Sequence, residues 1–317
     1  MKRTPVYEKI DETFRLSKKE LGGYAFGDLA GQTIINFVST FFLLFCTDYL
    51  GIAPKVAGTI FLVARLWDAV NDPMMGTLAD HTHTRFGSYR PYIIIGAPLV
   101  LISFIMMFTK PGFDAKGLLI WAYVAYLLYG TCATVTGVPY GVLPNVITLN
   151  PRDRQILGVT RDYGANIGGF LVSTFGTMMI LHFSGVGDGK TMTAKGFQTV
   201  AIIAAVFAVV CYLVVFFTTK ERVAPAKSTV GFFKGIGITF RNRPALCLLL
   251  MGFCFNMAIQ FKANMTGYYC IQVMGNPKTI GTLLTLVYTL PLIGLLFVPK
   301  QITVISRRTF LSTAGIL

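Results

Sequence analysis

Charge is what this sequence has least of. Asp, Glu, Lys and Arg make up 13% of its 317 residues, against roughly 25% in soluble domains. That scarcity excludes a soluble, charge-coated domain. Histidine is rare too: His81, His83 and His182 make no metal-ligand spacing with carboxylates, and the first two read as part of a solvated loop. The six cysteines, at 46, 132, 211, 247, 254 and 270, all lie in apolar stretches without a CxxC pair. They read as small core residues, which excludes a disulfide framework and a zinc site. No nucleophile–base set, phosphate loop or metal-binding run appears. An enzyme therefore lacks the residues it would need, and no cofactor is expected.

Apolar residues fill the space instead, at 54% with a mean hydropathy of +0.62. The chain reads as an all-α, polytopic membrane protein. Runs long enough to span fall near 27–49, 53–80, 91–110, 117–147, 156–183, 197–219, 244–272 and 279–299. These are eight complete helices. A ninth begins near 309 and has few residues left to it, so the chain reads as a piece of a longer protein. The polar residues 1–26 lack the apolar core of a signal peptide and are expected on the cytoplasmic side.

The basic residues set that orientation. With the N-terminus inside, 19 of the 28 Lys and Arg fall on the inner side, six on the outer side and three within spans. The positive-inside rule accounts for the net charge of +14, so membrane lipid is the expected neighbour and no nucleic acid partner is needed. The organisation follows: residues 1–26 as an inner segment, 27–219 as a six-helix bundle, 220–243 as a cytoplasmic connection, and 244–317 as an incomplete second bundle. Two bundles joined by such a connection are the plan of a carrier.

One span departs from apolarity. The stretch TIFLVARLWDAVNDPMMGTLAD, residues 59–80, carries Arg65, Asp68 and Asp72 in its middle. Each charge at bilayer depth costs about 2.5–3.5 kcal/mol. Spacings of three and four place all three on one helical face, which must look into a bundle interior or a watery cavity. Paired carboxylates there suit a small monovalent cation, H+ or Na+, because hard cations take oxygen ligands. The alternative is an Arg65–Asp68 pair that only locks two helices together, which leaves Asp72 unexplained.

The chain resembles the glycoside–pentoside–hexuronide:cation symporters of the major facilitator superfamily, such as the melibiose carrier. The resemblance rests on GTIFLVARLWDAVNDPMMGTLADHTHTRFGSYRPY at 58–92, VPYGVLPNVIT at 138–148, TRDYGANIGGF at 160–170 and SRR at 306–308. It implies the superfamily fold and cation-driven uptake of a sugar or glycoside across the plasma (inner) membrane by alternating access. It further implies a cation site at Asp68, Asn71, Asp72 and Thr134, with Na+ held by Asp68 and Asp72 where that is the ion. Arg161 falls at the family's sugar-side arginine, where its planar fork could clamp sugar hydroxyls or a carboxylate; the alternative is a pair with a neighbouring aspartate that holds helices together. Gln32 stands where the melibiose carrier type has a sugar-binding aspartate, and Gly137 and Gly141 replace a second aspartate and a tryptophan.

Tyr140 and Asn256 add hydroxyl and amide groups expected to face the sugar, in company with Asn36, Tyr163, Asn166 and Gln260. Lys262, an unexpected charge in the seventh span, would with Arg161 attract an anionic substrate such as a uronide; the alternative is that it snorkels to the outer interface. In the inner loop between the second and third spans, the resemblance gives Asp80, Arg85 and Arg90 the role of a latch between bundles. Two rivals stand beside the symporter: an uncoupled sugar facilitator, and a sugar sensor or scaffold derived from a carrier.

Overall fold

The computed structural model describes residues 11–185, 191–224, 237–238, 240–268 and 279–295. Among these the chain consists of helices and their connecting loops, with no strand and one isolated bridge, Thr84–Gly87. The helices are α1 (Lys18–Leu44), continued by a π-helical turn (Phe45–Tyr49), α2 (Pro54–His81), α3 (Arg90–Met107), α4 (Ala115–Ile147), α5 (Pro151–Ser184), α6 (Ala194–Thr218), α7 (Arg243–Tyr268) and α8 (Thr279–Leu295). Those with α1 and its π turn, α3, α4, α5 and α6 are long and apolar enough to cross a membrane. The expected ninth span lies outside the described residues.

Helix starts follow local capping more than hydropathy. α1 begins nine residues before its apolar run because Ser17 and Glu20 form a capping box: the Glu20 amide donates to Ser17 Oγ at 3.2 Å and the Ser17 amide to Glu20 Oε2 at 3.3 Å. α5 likewise starts early, at Pro151, with Asn150 as its cap. It ends at Gly185, whose φ of +68° terminates the helix in the left-handed region.

The chain divides into two compact units. The first holds α1–α6 and the second α7, the division falling inside α8 between Val287 and Tyr288. Within the first unit α1 packs along α5 and α6, α3 along α4 and α6, and α2 along α4. An aromatic cluster fills its centre: Phe37 meets Phe104 and Phe108 edge-on at 5.6 and 5.0 Å, and Phe42 and Phe45 close on Phe108 at 6.0 and 5.4 Å. Since lipid tails are as apolar as these rings, interlocking shape and dispersion hold this core more than hydrophobic burial does.

The α1–α5 crossing positions the site. A side chain at Gly164 would run into the Ala25 carbonyl oxygen, and one at Gly168 would sit 2.9 Å from Leu29 O and 3.0 Å from Thr33 N. Small residues at these two positions let the backbones approach. The segment after α6 is also fixed, since the amides of Arg222 and Val223 donate to Val146 O at 2.8 and 2.9 Å. Residues 220–224, expected in a cytoplasmic loop, are therefore docked against the end of α4.

Candidate functional site

On α2 the buried residues Ala57, Ile60, Ala64, Met75 and Ala79 trace one stripe. Asp68 and Asn71 continue it through the middle of the helix, both half-buried. The opposite face, with Leu62, Leu66, Met74 and Leu78, is exposed. Asp72 accepts a hydrogen bond from Thr134 Oγ1 on α4 at 2.7 Å, and that hydroxyl also reaches Gly130 O at 3.1 Å. A side-chain carbon at Gly130 would sit 3.1 Å from Asp68 Oδ1, so the glycine leaves room for that carboxylate against α4. Asn71 Nδ2 is buried without a hydrogen-bond partner. The arrangement brings Asp68, Asp72 and Thr134 together where α2 meets α4, with Asn71 beside Asp72 in sequence; Asp72 itself, expected to look into the bundle interior, is exposed apart from this contact.

Arg65 lies 3.7 Å from Asp68, and its side chain is 75% exposed. Both residues belong to α2, so their pair does not tie two helices together. As an exposed i,i+3 pair it contributes little.

The neighbouring face of α4, that of Tyr129, Ala133 and Tyr140, lines a cavity of about 160 Å³ whose walls also include Asp28, Gln32, Arg161 and Tyr212. Arg161 donates through Nε to Asp28 Oδ2 at 2.6 Å and lies 5.2 Å over the Tyr140 ring. Gln32 Oε1 faces Asn36 Nδ2 at 3.3 Å. The cavity thus offers a charge-assisted donor–acceptor pair, an amide and aromatic faces, the chemistry that polyhydroxylated molecules need. The hydroxyl of Tyr140, expected to face a sugar, is instead committed to the backbone of α1: it donates to Tyr24 O at 2.8 Å and accepts from the Asp28 amide at 3.2 Å. What remains toward the cavity is its ring.

Asp28 is the residue that sequence reasoning missed. Matching α1 to the melibiose carrier pattern drew attention to Gln32 and to a lost carboxylate, yet a carboxylate stands one turn earlier. The signal was present, because a charge inside an apolar span is costly unless it is paired. Arg161 does pair with an aspartate, Asp28, which matches its charge in the cavity. The side chains of Asn256 and Lys262, on α7, lie outside the described residues.

The loop between α2 and α3 is held from an unexpected quarter. Glu221, just beyond α6, is buried and accepts from three successive amides, Ser88, Tyr89 and Arg90, each at 2.8 Å. Gly87, with φ +112°, makes the turn, and a side chain there would meet the Glu221 carboxylate. Arg90 donates to Phe216 O at 2.5 Å and lies over the Phe216 ring. Asp80 accepts from the Tyr89 hydroxyl at 2.6 Å. Among the described residues neither Arg85 nor Arg90 pairs with Asp80: Arg90 takes a C-terminal carbonyl of α6, and Arg85 lies over Phe86.

Comparison with known proteins settles the family. Residues 23–317 match the family described as MFS/sugar transport protein. The chain belongs to that family. The MFS/sugar transport family is one of transport proteins, in keeping with the absence of enzyme motifs, and its members are multi-pass membrane proteins. The chain is 32% identical over 278 residues to an isoprimeverose transporter from Lactiplantibacillus pentosus, covering 87% of this chain and 56% of that protein. It is 34% identical over 270 residues to the inner membrane symporter YicJ of Escherichia coli (strain K12), covering 85% and 58%. It is also 34% identical over 270 residues to the putative glycoside/cation symporter YagG of the same strain, covering 83% and 56%. The chain therefore spans less than two thirds of the length of these relatives.

Proposed function

We propose that this protein is a cation-coupled carrier that imports a sugar, glycoside or uronide by alternating access, with H+ or Na+ as the coupling ion. One observation carries the reading. α4 meets the carboxylates of α2 through Thr134, whose hydroxyl donates to Asp72 at 2.7 Å, and lines the cavity of the Asp28–Arg161 pair through Ala133, the residue before it. Successive residues of a helix lie about 100° apart, so the two sites occupy neighbouring faces of one helix. A change at the ion therefore needs to travel only around one helix to reach the substrate.

In this reading Asp68, Asp72, Thr134 and Asn71 hold the cation. A half-turn of the Asn71 amide would put an oxygen where Nδ2 now has no partner. Gln32, Arg161, Asp28 and the Tyr140 ring contact the substrate. Asp80, Arg85 and Arg90 latch the inner side in a protein of the inner (plasma) membrane whose N-terminus is cytoplasmic. The names of the relatives, an isoprimeverose transporter and two symporters, support a sugar as the cargo and a cation as its driver.

The test is uptake into proteoliposomes holding the intact protein, across neutral glycosides, pentosides and uronides, under an imposed Na+ or proton gradient. Accumulation that collapses with one gradient identifies the ion. Uptake indifferent to both gradients would establish an uncoupled facilitator, and specific binding without counterflow a sensor or scaffold.

A further inference from the structure

We infer that Tyr140 is a positioning residue that makes α1 yield at Asp28, by setting its hydroxyl across one rung of that helix's hydrogen-bond ladder. In an undisturbed helix the Asp28 amide bonds only the Tyr24 carbonyl, four residues back. Here the Tyr140 hydroxyl engages both partners of that rung, accepting from Asp28 N at 3.2 Å and donating to Tyr24 O at 2.8 Å. A side chain inserted at the ladder is a recognised origin of helix bending.

The surroundings are built for this insertion. Tyr140 is 3% exposed, and its ring lies against Gly27, where any larger side chain would displace it. It stacks on Tyr24 with centroids 4.6 Å apart and planes 22° apart. The return contact has a separate cause. Pro144, four residues after Tyr140, has no amide hydrogen, which leaves the Tyr140 carbonyl without its helical donor. The Tyr24 hydroxyl supplies the missing bond at 3.1 Å. The two rings thus exchange hydroxyls between helices, one at a rung that the inserted hydroxyl shares, the other at a carbonyl that Pro144 leaves without a donor. The one in α1 lies at the residue that pairs with Arg161, so a bend there shifts Gln32 relative to the Asp28–Arg161 pair.

The turnover part of this inference rests on the transport reading; the backbone part does not. The test is amide-resolved hydrogen exchange on the intact protein, together with transport kinetics, for Tyr140→Phe and Tyr24→Phe. Tyr140→Phe returns the Asp28 amide wholly to Tyr24, and its exchange is expected to slow about fivefold, the worth of one net hydrogen bond. Maximal transport rate is expected to fall by a similar factor, while KM stays within about twofold. Tyr24→Phe removes the bond to α4 and the hydroxyl's contact with Arg161, and leaves Asp28 exchange unchanged. Unchanged or faster exchange in Tyr140→Phe overturns the inference, as does equal slowing in both variants, which would reduce the pair to packing. Slowed exchange with unaltered turnover overturns the link to transport. A protein that moves no sugar fails the transport reading alone, and exchange still decides the hinge.

Discussion

Arg161 on α5 and Asp28 on α1 share a hydrogen bond of 2.6 Å between side chains that are 37% and 16% exposed. Neither charge is buried enough to be prohibitive, and neither is free. Removing one partner leaves the other half-desolvated beside an apolar wall, which costs more than the pair itself contributes.

Asp28→Ala should therefore impair uptake more than its size implies, by about tenfold or more. The double variant with Arg161→Ala should be no worse than Asp28→Ala alone. A double-mutant cycle on initial uptake rates checks this, and additive losses would mean that the two side chains act separately.

The crossing of α1 and α5 is the contact that places this pair. Gly164→Val should push the helices apart and lower stability by about 2–4 kcal/mol, since backbone and not a flexible side chain stands in the way. Thermal unfolding in detergent measures it. Gly158, on the same helix with open space before it, gives the comparison: Gly158→Ala should be near neutral or stabilising.

The sequence disclosed the architecture because membrane spans announce themselves by length and hydropathy, and the acidic residues of α2 because charge stands out within them. Its failures were of other kinds. Asp28 escapes a match to the melibiose carrier pattern, which points to Gln32, although only Asp28 of the two bears the cost of a charge within an apolar span. Tyr140 was read by residue type as a sugar contact, and only geometry shows its hydroxyl spent on α1. The Glu221 contact joins residues more than 130 positions apart through backbone amides, and amides carry no signature in a sequence. The capping box at Ser17 was readable, in S-K-K-E, yet hydropathy alone began the helix too late.

Glu221→Ala should be among the most damaging changes outside the spans, because three amides, two buried and one partly buried, lose their acceptor at once. Partial entry of water limits the cost to about 2–4 kcal/mol. Glu221→Gln keeps one acceptor oxygen and should lose less. Thermal stability ranks the variants; Glu221→Ala matching the unaltered protein would show that the loop is held elsewhere.

In the proposed carrier the carboxylates of α2 drive accumulation without binding the cargo themselves. Sugar counterflow measured beside gradient-driven accumulation, in the same proteoliposomes, tests this for Asp68→Cys and Asp72→Cys. Accumulation should be lost while counterflow, which needs no ion gradient, persists. Normal accumulation in either variant would contradict it.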